Sequence, residues 1–477
     1  MAATLFYQIQ LAGISVICIV SLLLDRLVTP NADVVRPSLR PSEGIPEIEN
    51  SRGASATVKL AWRYLIVYGI VMSADWLQGP YLYSLYREQY QFPERLVAAL
   101  FVTGFISAGL AAPLIGVWAD QHGRKQLCLV FCITYTLSCL CITVPHLPVL
   151  LFGRILGGTS TAILFSAFES WLISESTSAS LPPGDLSTIM GRATLLNGFV
   201  AAGAGVFSNQ LVSMTNSFTT PFIASGSLLM LAWVVIRGMW TENYGGGGGQ
   251  PNKDVFQMKR LGQACTIVRK DPQIVVLGLA QTCFEGSMYL FVFLWVPSLQ
   301  ESSSTPQLLP LGYIFSSFMI SMMLGSLLYT AIVSHYQRRF SELPVPSSVT
   351  LHAQLSSIVC ACSALAFGVS VLCSDEHIRF WAFCVYEACV GMYYPVQGTL
   401  RGALIANEHR ATLSSLFRVP LNIFVVVSLL TGVSSARKAV LTASAVMLTV
   451  SSLSTAMVIR RPRERAALSS NVSTHIA

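Results

Sequence analysis

The sequence predicts an all-α polytopic membrane protein, two six-helix bundles preceded by one extra N-terminal transmembrane helix. Composition is the first sign: of 477 residues, 53% are hydrophobic and only 11% charged, whereas a soluble domain carries roughly a quarter charged residues. The mean hydropathy of +0.59 agrees with it. The third sign is spacing. The apolar residues fall in runs of about 20 or more, long enough for a helix to cross a bilayer, and they lack the alternation of barrel strands.

Taken in order, the runs lie at 5–24, 62–86, 96–119, 126–144, 147–173, 188–213 and 219–239, then at 273–299, 309–333, 350–373, 378–404, 411–432 and 438–459. The first has no Lys or Arg before it and no small-residue cleavage site after it. Asp25 and Arg26 follow at once, so it reads as a retained anchor and not a signal peptide. The predicted organisation is therefore 1–24, extra helix; 25–61, cytosolic linker; 62–239, first bundle; 240–272, cytosolic inter-bundle loop; 273–459, second bundle; 460–477, cytosolic tail. Within the linker, 30–57 is rich in Pro, Ser and charge and reads as disordered. The inter-bundle loop opens on Gly245 to Gly249, a flexible tether. Val255, Phe256, Met258, Leu261 and Cys265, set among basic residues, then suggest a short helix on the cytosolic surface.

Orientation follows from the loops. With the N-terminus outside, 20 of the Lys and Arg residues fall on the cytosolic side and five on the other, which selects this topology by the positive-inside rule. The net charge of +7 is scattered through short loops, so it carries topology and forms no nucleic-acid stripe. Most of the 12 cysteines lie in apolar runs and none forms a C-x-x-C pair, so they read as small buried hydrophobes, with no metal site or cofactor expected. No H-E-x-x-H, G-x-S-x-G or P-loop sequence occurs. No catalytic residue is assigned, and an enzyme is not expected.

Between the second and third core helices' worth of sequence stands Gly116-Val-Trp-Ala-Asp120-Gln-His-Gly123-Arg124-Lys125. A glycine near a helix end permits close packing, Gly123 permits a tight turn, and two cations anchor the loop. This resembles the G-x-x-x-D-x-x-G-R-K loop of the major facilitator superfamily, and Arg154-Ile-Leu-Gly157-Gly158 resembles its R-x-x-x-G pattern. Longer stretches narrow the likeness: Asp75–Tyr86 (DWLQGPYLYSLY), Gly153–Trp171, Phe284-Glu285, Phe291–Pro297, Ile314–Met319, Gly391–Pro395 and Phe417–Leu421. Together they are similar to the molybdate-anion transporter family of that superfamily, over roughly residues 60 to 460.

The resemblance implies the major facilitator fold and a secondary active transporter at the plasma membrane, N-terminus outside and C-terminus cytosolic. It implies high-affinity uptake of molybdate, or a related oxyanion, by alternating access. It also implies that Asp120 latches the halves against the helix start near Ala411. The second-half counterpart of the loop is degenerate, holding only His335, Arg338 and Arg339. A transporter of another anion or small solute, and a non-transporting receptor or scaffold, remain alternatives.

Ionisable residues inside spans are costly and mark pathways or paired structural charges. Arg154 and Arg418 are the deepest cations, one from each half, and the planar Arg fork suits a dianionic oxyanion, so both are candidate substrate ligands. Arg154 alternatively pairs with Asp75 or stabilises its own helix. Gln78, one turn from Asp75, and Tyr394, two turns from Glu387, are candidate neutral donors. Asp75, Glu285 and Glu387 either neutralise the arginines or carry protons that travel with the anion. Gly116, Asp120, Gly123, Arg124 and Lys125 form the expected gating loop, with Glu169 expected to meet it and Arg192 to act as a gate or ion-pair residue near the cytosolic mouth. Tyr81, Tyr83 and Trp171 read as packing aromatics.

Overall fold

The computed structural model describes residues 2–28, 47–244, 266, 268–303, 308–339, 346–405, 407–431 and 437–473. Among them are thirteen helices of 19 residues or more and no strand. They are α1 (Ala2–Val28), α2 (Glu47–Gln78), α3 (Glu94–His122), α4 (Arg124–Ile142), α5 (Leu147–Ser178), α6 (Pro183–Thr215) and α7 (Thr220–Met239), then α8 (Pro272–Ser302), α9 (Leu311–Arg339), α10 (Pro346–Leu372), α11 (Glu376–Leu404), α12 (Asn407–Thr431) and α13 (Arg437–Ser473). Ten contain a stretch long and apolar enough to cross a membrane. The other three are α2, α11 and α12, which carry Asp75, Glu387 and Arg401, and Arg418. Charge and span are in tension in those three helices.

Helix ends follow local chemistry. Asp271 accepts the N–H of Gln273 at 2.9 Å and Pro272 fills the first turn of α8. Asp375 accepts that of Ile378 at 2.9 Å to start α11. Each aspartate satisfies a donor that the first turn leaves open. Asn216, left-handed at φ 54°, closes α6.

Two compact units divide the chain, Met1–Phe256 with Pro310–Ser317, and Gln257–Leu309 with Phe318–Ala477. In the first, α2 packs on α6 and α7, α3 on α5, and α4 on α5 and α7. The second repeats that list: α8 packs on α12 and α13, and α10 on α11 and α13. Backbone approach completes the match. A Cβ on Gly158 of α5 would strike the Gly104 carbonyl of α3; a Cβ on Gly391 of α11 would strike the Met322 carbonyl of α9. Small residues let helices meet this closely where lipid removes the hydrophobic drive to associate.

Several boundaries differ from the sequence reading. α2 begins at Glu47, inside the stretch read as a disordered linker, and stops at Gln78, well short of Tyr86. Pro80 explains the stop, because it lacks an N–H and its ring crowds the preceding turn. Gly79 instead bonds the Trp76 carbonyl at 3.3 Å, and a short piece, Leu82–Ser84, leads into a π-turn at Leu85–Gln89. α13 continues past residue 460 to Ser473, so the backbone there is helical where a tail was expected. The glycine tether, the run 255–265 and linker residues 29–46 lie outside the described residues.

Candidate functional site

In the first unit Asp75 is held by one hydrogen bond among the described residues. The Tyr135 hydroxyl of α4 donates to its Oδ1 at 2.6 Å. One turn on, Gln78 is buried; its Nε2 donates to Ser225 Oγ at 3.0 Å, and that hydroxyl donates to the Ala74 carbonyl at 2.6 Å. Gln78 therefore ties α2 to α7 and has little capacity left for a ligand. Arg154 bonds a neighbouring helix and not Asp75. Its Nε donates to the Leu100 carbonyl of α3 at 3.1 Å, its guanidinium lies 5.4 Å from the Phe101 ring centre, and it fills the space a side chain on Gly104 would need. Among the described residues it forms no ion pair with Asp75, so it fastens α5 to α3.

In the second unit a different grouping forms around Glu285, which is 7% exposed. Gln281 Nε2 reaches its Oε2 at 3.4 Å from one turn below, and the Tyr393 hydroxyl of α11 reaches Oε1 at 3.3 Å. The Phe284 and Tyr393 rings stack at 3.9 Å and 5°, which fixes the phenol. Arg401 and Arg418 are the cations whose fields act on this carboxylate. Glu387, also 7% exposed, has no hydrogen-bond or ion-pair partner among the described residues. Tyr394 is 46% exposed, its hydroxyl 3.2 Å from Met288 Sδ. Arg418 is exposed.

The predicted gating loop is organised by residues of another segment. Gly123 has φ +100°, and a Cβ there would collide with Glu242. The Glu242 carboxylate accepts the N–H groups of Lys125 at 2.8 Å and Gln126 at 3.0 Å, the first turn of α4. Beside it the Arg124 N–H bonds the Asn243 carbonyl at 3.0 Å, Arg124 Nη1 the Ser170 carbonyl at 3.1 Å, and Lys125 Nζ the Trp240 carbonyl at 2.7 Å. Trp240 stacks on Trp171 at 3.7 Å and 8°. Arg63 pairs with Glu175 at 3.7 Å and donates to the Met239 carbonyl. Residues 240–243 thus strap together the ends of α2, α4, α5 and α7. Glu169 is exposed and makes no hydrogen bond or ion pair among the described residues, where Ser170 and Glu242 make the contacts to the loop. Its helix phase turns it outward, one residue away from the carbonyl that serves. Arg192 is likewise exposed on α6. The surroundings of Gly116 and the side chain of Asp120 lie outside the described residues.

A family model described as sugar transporters with twelve transmembrane segments matches residues 49–370. A molybdate-anion transporter of Takifugu rubripes is 32% identical over 410 residues, 79% of this chain and 81% of that one. One from Xenopus tropicalis is 31% identical over 392 residues, 80% of each. The chain belongs to the molybdate-anion transporter family of the major facilitator superfamily. Solved structures agree on the fold alone. A crystal structure of the nucleoside transporter NupG aligns with TM-score 0.59 at 12% identity, over 84% of this chain and 98% of that one. A peptide transporter POT in complex with sulfate aligns with TM-score 0.63 at 12% identity, over 84% and 94%.

This is a family of transporters and not of enzymes. For this molybdate-anion transporter family member, sequence reasoning overlooked Tyr135, Tyr393, Arg401 and Glu242. A signal for Arg401 was present: Glu387, Tyr394 and Arg401 recur every seven residues, close to one face of α11. For Glu242 the signal was weaker, an acidic residue after the last span of the first bundle and ahead of the glycine run.

Proposed function

We propose that this protein imports molybdate by secondary active transport with alternating access, working at the plasma membrane with its N-terminus outside and its C-terminus in the cytosol. The observation that carries the reading is the 32% identity, sustained over 410 residues, to a protein named as a molybdate-anion transporter. The residues are compatible with it. A tetrahedral dianion needs fixed positive charge and several donors in a low-dielectric setting, and planar guanidinium groups provide both. Arg418 and Tyr394 are exposed and suit ligand contact, whereas Arg154 and Gln78 frame the first unit through helix-to-helix bonds. Asp75, Glu285 and Glu387 are the candidate proton carriers, Glu387 being the carboxylate without a partner among the described residues. The loop at Asp120, Gly123, Arg124 and Lys125 acts in gating, with Arg192 as a further gate or ion-pair residue.

Expression in cells lacking their own molybdate uptake tests this. Accumulation of labelled molybdate that rises when the outer pH is lowered supports the reading; wild-type chain at the surface without accumulation defeats it. A neutral solute is the second reading, favoured by the sugar-transporter description of the matching family model. Sugars that compete with molybdate for uptake would support that alternative.

A further inference from the structure

The second unit holds two guanidinium groups that form no ion pair among the described residues. Arg401 is half-buried near the end of α11; its Nε reaches the Gln397 carbonyl one turn back at 3.3 Å, and it forms no ion pair among the described residues. A side chain built on Gly398, one turn before Arg401, would meet nothing within 4 Å. Arg418 on α12 is exposed and has no hydrogen-bond or ion-pair partner among the described residues.

α8 is the element that relates them, since it packs on both α11 and α12. Toward α12, Gly278, Thr282 and Gly286 line one stripe: Phe417 fits over Gly278, Thr282 Oγ1 donates to the Phe417 carbonyl at 3.3 Å, and Phe424 lies over Gly286. Phe417, next to Arg418 in the chain, thus ties α12 to α8 at Gly278 and Thr282. Toward α11, Glu285 receives the Tyr393 hydroxyl. One buried carboxylate thus stands on the helix that both arginine-bearing helices touch. The groups acting on Glu285 are Gln281 on its own helix, Tyr393 and Arg401 from α11, and Arg418 from α12; Tyr289 and Tyr394 feel its charge in turn.

We propose that Arg401 joins Arg418 as a second anion-recognising arginine on this unit, with Glu285 as their shared internal counter-ion, which an incoming oxyanion replaces. The inference rests on the anion-transport reading above and deepens it by naming the site. Charge balance gives it content. Two guanidinium groups and one carboxylate leave a net charge of one, short of the two that a dianion requires. Protonating Glu285 supplies the difference, so dianion and proton bind together. A monoanion needs no such proton. The site should therefore favour tetrahedral dianions over halides, and increasingly so as pH falls.

The test uses the full-length chain in lipid nanodiscs, with molybdate, sulfate, phosphate and chloride as separate titrants across a pH series, read by isothermal calorimetry. Arg401→Gln and Arg418→Gln should each weaken oxyanion binding roughly ten- to a hundredfold, the cost of one charge-assisted contact. Arg401→Lys should recover part of the loss. Glu285→Gln should bind at neutral pH as the wild type does at low pH, with the pH dependence removed. Unchanged oxyanion affinity in Arg401→Gln, or an unchanged pH profile in Glu285→Gln, overturns the proposal, and so does a wild type that binds none of the oxyanions. A wild type that binds sulfate but not molybdate, with Arg401→Gln weakened, upholds the site while removing molybdate as the cargo. Helical content by circular dichroism guards each variant against misfolding.

Discussion

The carboxylate of Glu242 accepts the backbone N–H of Lys125 at 2.8 Å, so a residue beyond the end of α7 caps the start of α4. A helix start leaves four N–H groups without partners and carries partial positive charge, and a carboxylate answers both. Glu242→Ala should destabilise the purified protein by about 1–2 kcal/mol, with Glu242→Gln losing less. Thermal melting in detergent reads this; equal melting temperatures for all three chains would remove the cap from the account.

Gly123 gives a sharper version of the same test. Its φ of +100° and the nearness of Glu242 both exclude a side chain. Gly123→Ala should cost about 1–3 kcal/mol from backbone strain alone. Combining it with Glu242→Ala should give less than the sum, because the colliding carboxylate is then gone. Additive losses would count against a direct contact.

The glycines make opposite predictions by location. Gly158→Val should prevent α3 and α5 from meeting at Gly104 and abolish folded protein, and Gly391→Val should do the same for α9 and α11. Gly203 of α6 has nothing within 4 Å of a built Cβ. Gly203→Ala should be neutral or stabilising by up to about 1 kcal/mol, since alanine favours the helix. Size-exclusion profiles of the three variants decide this, and a monodisperse Gly158→Val would contradict the packing.

Tyr135→Phe removes the hydroxyl that reaches Asp75 at 2.6 Å. Losing this buried hydrogen bond should cost about 1–3 kcal/mol. The same change made on an Asp75→Asn background should cost less. A double-mutant cycle on unfolding measures the coupling, and a coupling of zero would mean the two groups do not interact.

The helices were legible because each must supply about 20 apolar residues to cross a bilayer. That requirement leaves a mark in composition alone. The start of α2 at Glu47 was not legible, because its first turns are polar and helical continuity there has no apolar signature. Its end at Gln78 was readable from Pro80, but the apolar run through Tyr86 outweighed it. The site divided in the same way. Asp75, Glu285, Glu387 and Arg418 stood out as charges in apolar surroundings, whereas Tyr135 and Tyr393, which bond two of them, did not. Tyr135 is 60 residues from Asp75, Tyr393 is 108 from Glu285, and Glu242 is 117 from Lys125. Contacts over such separations are made by helix packing, which leaves no local pattern. Arg154 shows the converse: its depth suggested a ligand, but the α3 carbonyl it binds was invisible in the chain.

The most direct measurement is the initial rate of labelled molybdate entry into proteoliposomes containing the purified chain, with and without an inward proton gradient. Uptake should be saturable and above that of empty vesicles, faster with the gradient and strongly reduced in Arg418→Gln. Rates equal to those of empty vesicles, from protein shown to be folded and inserted, would contradict molybdate import.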